Sequence, residues 1–133
     1  MSARFLFILC DNVEKGMILK LLMTISKKES SNDNPIKAEY IAGVAEDLFG
    51  GKSDPTFDVA LGYQAGYENI IKRINETWPK SKKVIFKSVV INLIKYQDDY
   101  HDEELIAAKK LLTSIGINDD NFNMLYSLFI SQL

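Results

Sequence analysis

The sequence predicts an all-α fold, a single compact bundle of six or seven helices that spans residues 1–133. Three observations lead to this prediction. Apolar residues recur every three to four positions along most of the chain, as on the buried side of an amphipathic helix. Pro35 and Gly116 stand where helices are expected to begin and end. The segments Glu39–Ala42 and Glu104–Ala107 resemble each other at an offset of 65 residues (104 − 39), and such self-similarity indicates a duplicated unit.

The duplication predicts two related helical hairpins, over about 12–57 and about 80–122. Each copy contains, in order, an acidic turn, a helix, a glycine, an acidic cap and an aromatic residue. The same offset pairs Asp33 with Asp98, Gly51 with Gly116, Asp54 with Asp119 and Phe57 with Phe122. The alternative is that any two capped amphipathic helices resemble each other.

The first two long helices have clear start signals. Asp11 and Glu14 form a start that resembles a capping box, which predicts a helix over about 12–28. Pro35 is well placed as the first residue of the next helix, because its missing N–H costs nothing there. The pair Gly50-Gly51 is expected to end that helix.

A third helix is expected from Asp54-Pro55 to Trp78, and a fourth begins at Pro79 with Val84 on its inner side. Gly62 and Gly66 lie four residues apart on one face of the third helix. In a soluble helix, this spacing indicates a close helix crossing or a kink.

Two further helices complete the bundle. One is expected from Glu103 to Ile115, with Ile106 on its inner side and Gly116 as its stop. Asn118 or Asp119 would cap the last helix.

Composition excludes several classes of protein. The chain is 47% hydrophobic and 26% charged with a net charge of −2, which is ordinary for a globular domain and gives no global case for nucleic-acid binding. Cys10 is the single cysteine, so no intrachain disulfide can form, and its apolar neighbours predict a buried, inert thiol with a raised pKa.

The apolar run from Phe5 ends at Asp11, too early for a signal peptide or a membrane span. We therefore expect a cytoplasmic protein.

The turn from Asp98 to Glu104 holds five carboxylates and the only histidine. One interpretation is a divalent-metal site, since carboxylates suit hard cations and an imidazole favours zinc or another transition metal. The other, which the sequence favours, is that acidic side chains stabilise a helix N-terminus. The candidate ligands are Asp98, Asp99, His101, Asp102 and Glu104, with Asp33 and Glu39 as the corresponding pair in the first half.

A basic stretch precedes the acidic turn. It could form a phosphate-binding face, or it could be an ordinary solvated surface. Together with the acidic turn it could also form a dipolar surface that selects a protein partner. Its residues are Lys72, Arg73, Lys80, Lys82, Lys83 and Lys87. No nucleophile–base motif accompanies these groups, so the sequence predicts a protein that is not an enzyme.

The acidic turn followed by a helix that opens around a glutamate resembles the TerB-like family of tellurite-resistance systems. The matching residues are Asp98 and Glu104 in the second half, Asp33 and Glu39 in the first, and the runs Leu105-Ile106-Ala107 and Gly116-Ile117. The family's Asp-Gly turn differs here, because Asn34 and Asp99 replace the glycine and the alanine before the aspartate is missing. The resemblance implies an all-helical fold with two related halves and an acidic surface linked to metal binding.

Three functions follow as hypotheses. The first is a non-enzymatic TerB-like interaction module of a stress-response or phage-defence system, with a protein partner or a divalent metal ion at its acidic turn. The second is a small immunity protein or phage-encoded inhibitor that blocks a partner protein through a charged surface. The third, which the net charge disfavours, is a nucleic-acid-associated domain that uses the basic stretch. The sequence is also compatible with a homodimer.

Overall fold

The computed structural model describes residues 6, 9–26, 35–49 and 57–117, which form helices and turns without any strand. The described chain therefore confirms the predicted all-α class. The helices are α1 (Asn12–Ser26), α2 (Pro35–Leu48), α3 (Phe57–Gln64), α4 (Tyr67–Thr77), α5 (Lys80–Lys95) and α6 (Asp102–Ser114), with a 3-10 turn at Tyr96–Asp98 between the last two. Leu6 and Leu9 also have helical backbone. The polar loop at 29–34, the helix start at Asp54-Pro55 and the last helix after Asn118 lie outside the described residues.

The predicted capping box at the start of α1 is confirmed. The Glu14 N–H donates to Asp11 Oδ1 at 2.8 Å, and the Asp11 N–H donates to Glu14 Oε1 at 3.2 Å. These reciprocal bonds satisfy two backbone donors that a helix N-terminus leaves without partners.

The predicted stop of α6 is also confirmed. Gly116 has φ +83°, a left-handed conformation that glycine adopts at low cost. The Ile117 N–H donates to Leu112 O at 2.8 Å and the Gly116 N–H donates to Thr113 O at 3.0 Å, which is the Schellman arrangement.

The single helix expected from Asp54 to Trp78 is wrong, because α3 and α4 are separate helices divided at Ala65 and Gly66. Gly66 is the N-cap of α4 and has an extended backbone, with φ −67° and ψ 148°. The two glycines therefore serve different purposes. Gly66 lies at the break, and Gly62 lies in a close helix crossing.

Helices α1 and α3 touch through their backbones at two glycines. A Cβ atom on Gly16 would lie 2.0 Å from Val59 O, and one on Gly62 would lie 1.8 Å from Val13 O. Neither position can hold a side chain without moving the opposite helix. Because Gly16 faces Val59 while the earlier Val13 faces the later Gly62, the two helices run antiparallel.

The hydrophobic core draws side chains from α1, α2, α4, α5 and α6. Trp78 and Phe86 pack edge to face in it, with ring centroids 5.9 Å apart. Two residues expected on inner faces are exposed instead, Val84 by 37% and Ile106 by 53%. In α6 the inner face begins with Glu104 and Leu105, so Ile106, about 100° further round the helix, points outward.

Burial repeats along the chain. Six of the nine buried residues of α1 lie 68 positions before a buried residue of α5: Glu14 before Lys82, Ile18 before Phe86, Leu21 before Val89, Leu22 before Val90, Ile25 before Leu93 and Ser26 before Ile94. The four buried residues of α2 match buried residues 67 positions later, in α6 or at its C-cap: Lys37 with Glu104, Ile41 with Ala108, Val44 with Leu111 and Leu48 with Ile115. The sequence offset of 65 instead pairs exposed Glu39 with buried Glu104.

We expect Gly16→Ala and Gly62→Ala each to lower the free energy of unfolding by about 1–3 kcal/mol or more, because the new methyl group overlaps a backbone carbonyl. Gly43→Ala is the matched control. A Cβ there meets nothing within 4 Å, so it should raise stability by about 0.5–1 kcal/mol. Urea unfolding measures all three. Equal effects at Gly16 and Gly43 would contradict the close crossing.

Candidate functional site

Glu14 connects three separate parts of the chain. It is buried in the first turn of α1. Its Oε2 atom accepts hydrogen bonds from the indole Nε1 of Trp78 and from Lys82 Nζ, the latter at 2.8 Å. Lys82 Nζ also lies 4.6 Å from the centre of the Trp78 ring, a cation–π contact. One carboxylate thus caps α1 and holds α1 against α5 and the end of α4.

Lys37 belongs to the second buried ion pair. It is fully buried in α2, and its Nζ atom donates to the carbonyl oxygens of Leu93 at 2.7 Å and Ile94 at 2.8 Å. These carbonyls belong to the last turn of α5, where the helix dipole favours a cation. Lys37 Nζ also lies 3.4 Å from Glu104 Oε1. Tyr40, one turn further along α2, donates its hydroxyl to Val89 O at 2.8 Å.

Burial shifts the pKa values of Glu104 and Lys37 in opposite directions. Desolvation raises the pKa of Glu104, although Lys37 and His101 oppose the shift. Desolvation lowers the pKa of Lys37, although Glu104 opposes it. Both shifts show that burial disfavours the charged forms, so each charge depends on its partner.

The acidic turn does not collect its carboxylates around one point. Glu104 points into the core toward Lys37, while Asp98 and Asp102 are exposed. Asp99 and His101 do come together, with His101 Nε2 2.9 Å from Asp99 Oδ2. Among the described residues, no group of three or more His, Cys, Asp or Glu side chains could hold a metal ion.

In the first half, Glu39 is exposed on α2, and Asp33 lies outside the described residues. Divalent-metal binding by either turn therefore remains a prediction from the sequence.

The residues of the basic stretch lie in different environments in the fold. Lys82 is buried against Glu14, so its assignment to a partner-binding surface is wrong. Arg73 Nη2 lies 3.1 Å from Asp11 Oδ2, and the exposed Lys72 lies 4.0 Å from Glu76 on the same helix.

The other lysines of the stretch lie on α5, where Lys80 is exposed and Lys83 and Lys87 are half-buried. Lys83 Nζ donates to Asn75 Oδ1 at 3.3 Å, and Asn75 Nδ2 donates to Ser114 O at 3.0 Å. Lys83 therefore lies near the end of α6.

The sequence interpretation missed an apolar surface on α3. Phe57 is 77% exposed and Leu61 is 46% exposed, and they lie one turn apart. Val59 and Gly62 of the same helix are buried. The helix is thus apolar on both its inner and its outer side. The signal in the sequence was the run Phe57–Tyr63, which has only one charged residue.

Cys10 is buried, as expected from its neighbours. Burial, with smaller contributions from Glu14 and Asp11, raises the pKa of its thiol to about 12. Within the described residues, every helix is too short or too polar to cross a lipid bilayer.

No protein-family model, no curated protein and no solved structure matches the chain. The resemblance to TerB-like domains therefore rests on the residues named above.

We expect Lys37→Met to lower the free energy of unfolding by about 3–5 kcal/mol, because it leaves the Glu104 carboxylate buried without its cation. Glu104→Leu should cost less, since Lys37 keeps its two carbonyl acceptors. The double variant should recover more than about 1 kcal/mol relative to Lys37→Met, because no charge is left buried.

The matched control for this double-mutant cycle is the exposed pair Lys72 and Glu76, replaced by Met and Leu. Its coupling should stay below about 0.5 kcal/mol. Urea unfolding measures both cycles, and additive losses at Lys37 and Glu104 would show that the two side chains do not interact.

We expect iodoacetamide at pH 9 to leave Cys10 unmodified in the folded protein and to alkylate it readily in urea. With a pKa of about 12, only about a thousandth of the thiol is ionised at that pH, and the thiolate is the reactive form. Mass spectrometry follows the reaction. Similar rates with and without urea would mean that the thiol is accessible in the native state.

Proposed function

We propose that this protein is a non-enzymatic interaction module that binds a partner protein through the outer face of α3. The observation that carries the proposal is the exposure of Phe57 and Leu61 one turn apart on that helix. Large apolar side chains that lie next to each other in solvent mark interaction sites, so this pair favours a partner that covers it. Aromatic residues such as Phe57 are enriched in interface cores.

The close packing of α3 against α1 supports this proposal. Gly16 and Gly62 allow backbone contact with α1, so the inner side of α3 is held without long side chains. A rigid element presents its outer side chains with little loss of entropy on binding. Phe57 and Leu61 are therefore better placed for docking than residues on a freely moving segment.

The contacts of the buried charged side chains and the burial of the Cys10 thiol support a non-enzymatic role. Glu14 and Lys82 bind each other between helices, as do Lys37 and Glu104. The Cys10 thiol is buried with a raised pKa, which makes it a poor nucleophile. These groups stabilise the bundle rather than face a substrate.

The resemblance to TerB-like domains extends the proposal to a stress-response or phage-defence system. In such a system the module would bind another protein component. A protein that blocks a toxin or a defence enzyme would use the same apolar face, and the identity of the bound partner distinguishes the two roles.

The proposal is tested by placing a photo-crosslinking amino acid at Ala60, between Phe57 and Leu61 on the exposed side of α3, in cells that express the protein. We expect a discrete crosslinked species that is lost in Phe57→Ser/Leu61→Ser. The partner, identified by mass spectrometry and purified, should bind the wild type in calorimetry at least about tenfold more tightly than the double variant.

Gly43, an exposed position on α2, is the control site for the crosslinker and should give no such species. Crosslinks of equal yield from both positions, or an affinity that the double serine variant leaves unchanged, would overturn the proposal. A crosslink between two copies of the chain, confirmed by sedimentation, would make the partner a second copy.

A further inference from the structure

Helix α5 carries a basic stripe on the side opposite its buried Val89. Its lysines other than Lys82 are exposed or half-buried, and the helix contains no carboxylate. A helix turns by about 100° per residue, so these lysines fall within about 120° of its circumference. The basic stripe extends for about 22 Å along the helix axis. Its members are Lys80, Lys83, Lys87 and Lys95.

Two apolar side chains lie within the same stripe. Val84 is 37% exposed, and Ile91 is half-buried. They are seven residues apart, which places them on one side of the helix with Lys87 between them. Lys80 lies one turn before Val84, and Lys95 lies one turn after Ile91. Apolar positions one heptad apart with charged neighbours are the pattern by which one helix packs along another.

The lysines of the stripe differ from the buried Lys82, which has a carboxylate partner on another helix. Among the described residues, no carboxylate lies within ion-pair distance of Lys80, Lys83 or Lys95. Lys83 Nζ donates instead to the neutral Asn75 Oδ1 at 3.3 Å. Positive charge therefore remains along the outer side of α5, where carboxylates of another molecule would meet it.

We propose that the basic stripe of α5 binds an acidic amphipathic helix of a partner protein. The partner helix lies along α5, and its apolar side chains, one heptad apart, contact Val84 and Ile91. Its carboxylates lie beside Lys80, Lys87 and Lys95. Charge complementarity selects an acidic helix over a basic one. The stripe is a different surface from the outer face of α3, so this inference does not rest on the interaction proposed there.

A protein helix fits the stripe better than a nucleic acid does. Val84 and Ile91 interrupt the row of lysines, and a phosphate backbone offers such aliphatic side chains no apolar contact. The stripe contains no aromatic side chain on which a base could stack. The chain has a net charge of −2, so its overall field does not attract a long polyanion.

The test uses a fluorescein-labelled peptide of three heptads, each Glu-Leu-Glu-Ala-Ala-Glu-Glu, which places one leucine in every heptad. Fluorescence anisotropy with the full chain should show binding of this acidic peptide but not of a peptide in which every Glu is Gln. A third peptide, with proline in its middle heptad, cannot form the continuous helix and should bind more weakly. The affinity of the acidic peptide should fall by about fivefold or more between about 0.05 M and 0.3 M sodium chloride, because exposed charges are screened.

Lys80→Glu and Val84→Ser should each weaken binding of the acidic peptide by about fivefold or more. Lys20→Glu is the matched control for charge, because it changes the net charge equally but lies on α1 beside Tyr63 of α3. Phe57→Ser/Leu61→Ser is the control for the other surface, and it should bind the acidic peptide as the wild type does. Failure of either proposal is therefore recognised separately. Thermal unfolding monitored by circular dichroism checks that each variant folds.

Four outcomes would overturn the inference. The first is absence of binding by the acidic peptide, or equal binding of the glutamine peptide. The second is a loss of affinity in Lys80→Glu and Val84→Ser that is no larger than the loss in Lys20→Glu. The third is equal binding of the proline peptide, which would make the bound segment something other than a helix. The fourth is tighter binding of a single-stranded oligonucleotide than of the acidic peptide, which would assign the lysines to a different class of ligand.

Discussion

Two ion pairs buried between helices constrain how this bundle can be assembled. Glu14 pairs with Lys82 across α1 and α5, and Lys37 pairs with Glu104 across α2 and α6. Taking a charge out of water costs several kcal/mol unless an opposite charge and hydrogen bonds offset it. Any packing that separates these pairs leaves an uncompensated charge in the core. The pairs therefore select one register of the helices, although apolar burial supplies most of the driving force.

The four residues of the two buried ion pairs each occupy the third position of their helices. The position suits Glu14 and Glu104, because the helix dipole favours anions in the first turn. It disfavours Lys37 and Lys82 for the same reason, so those two depend on contacts from other helices. Each pair also joins matching positions of the repeated burial pattern, at offsets of 68 and 67 residues. The residues at these matching positions contact each other and carry opposite charges, where identical charges would repel.

Local signals let the sequence predict the class of fold and most helix ends. The Asp11–Glu14 capping box, Pro35 and Gly116 act within a few residues, so their effect is visible without knowledge of the packing. The buried faces of the helices are harder to predict from the sequence, because charged residues normally lie on the surface. The sequence therefore predicts surface positions for Lys82 and Glu104, although each lies at helical spacing from a core residue, Phe86 or Ala108. Their partners lie more than 60 residues away in the chain, so no local pattern could reveal them.

Charged side chains lie inside this bundle and large apolar side chains lie in solvent, and this reversal of the usual arrangement bears on function. Burying a large apolar side chain is worth about 1.5–3 kcal/mol, so leaving Phe57, Leu61 and Ile106 in solvent forgoes stability that the fold could have gained. The same bundle buries the four charges of its two ion pairs, which stabilise it only when each has its partner. Stability alone favours the opposite arrangement. The inner charges are explained by helix register, whereas the exposed apolar residues have no such role within the described bundle. Contact with a partner would recover the burial that Phe57 and Leu61 forgo, and the proposed binding face is placed on α3 for that reason.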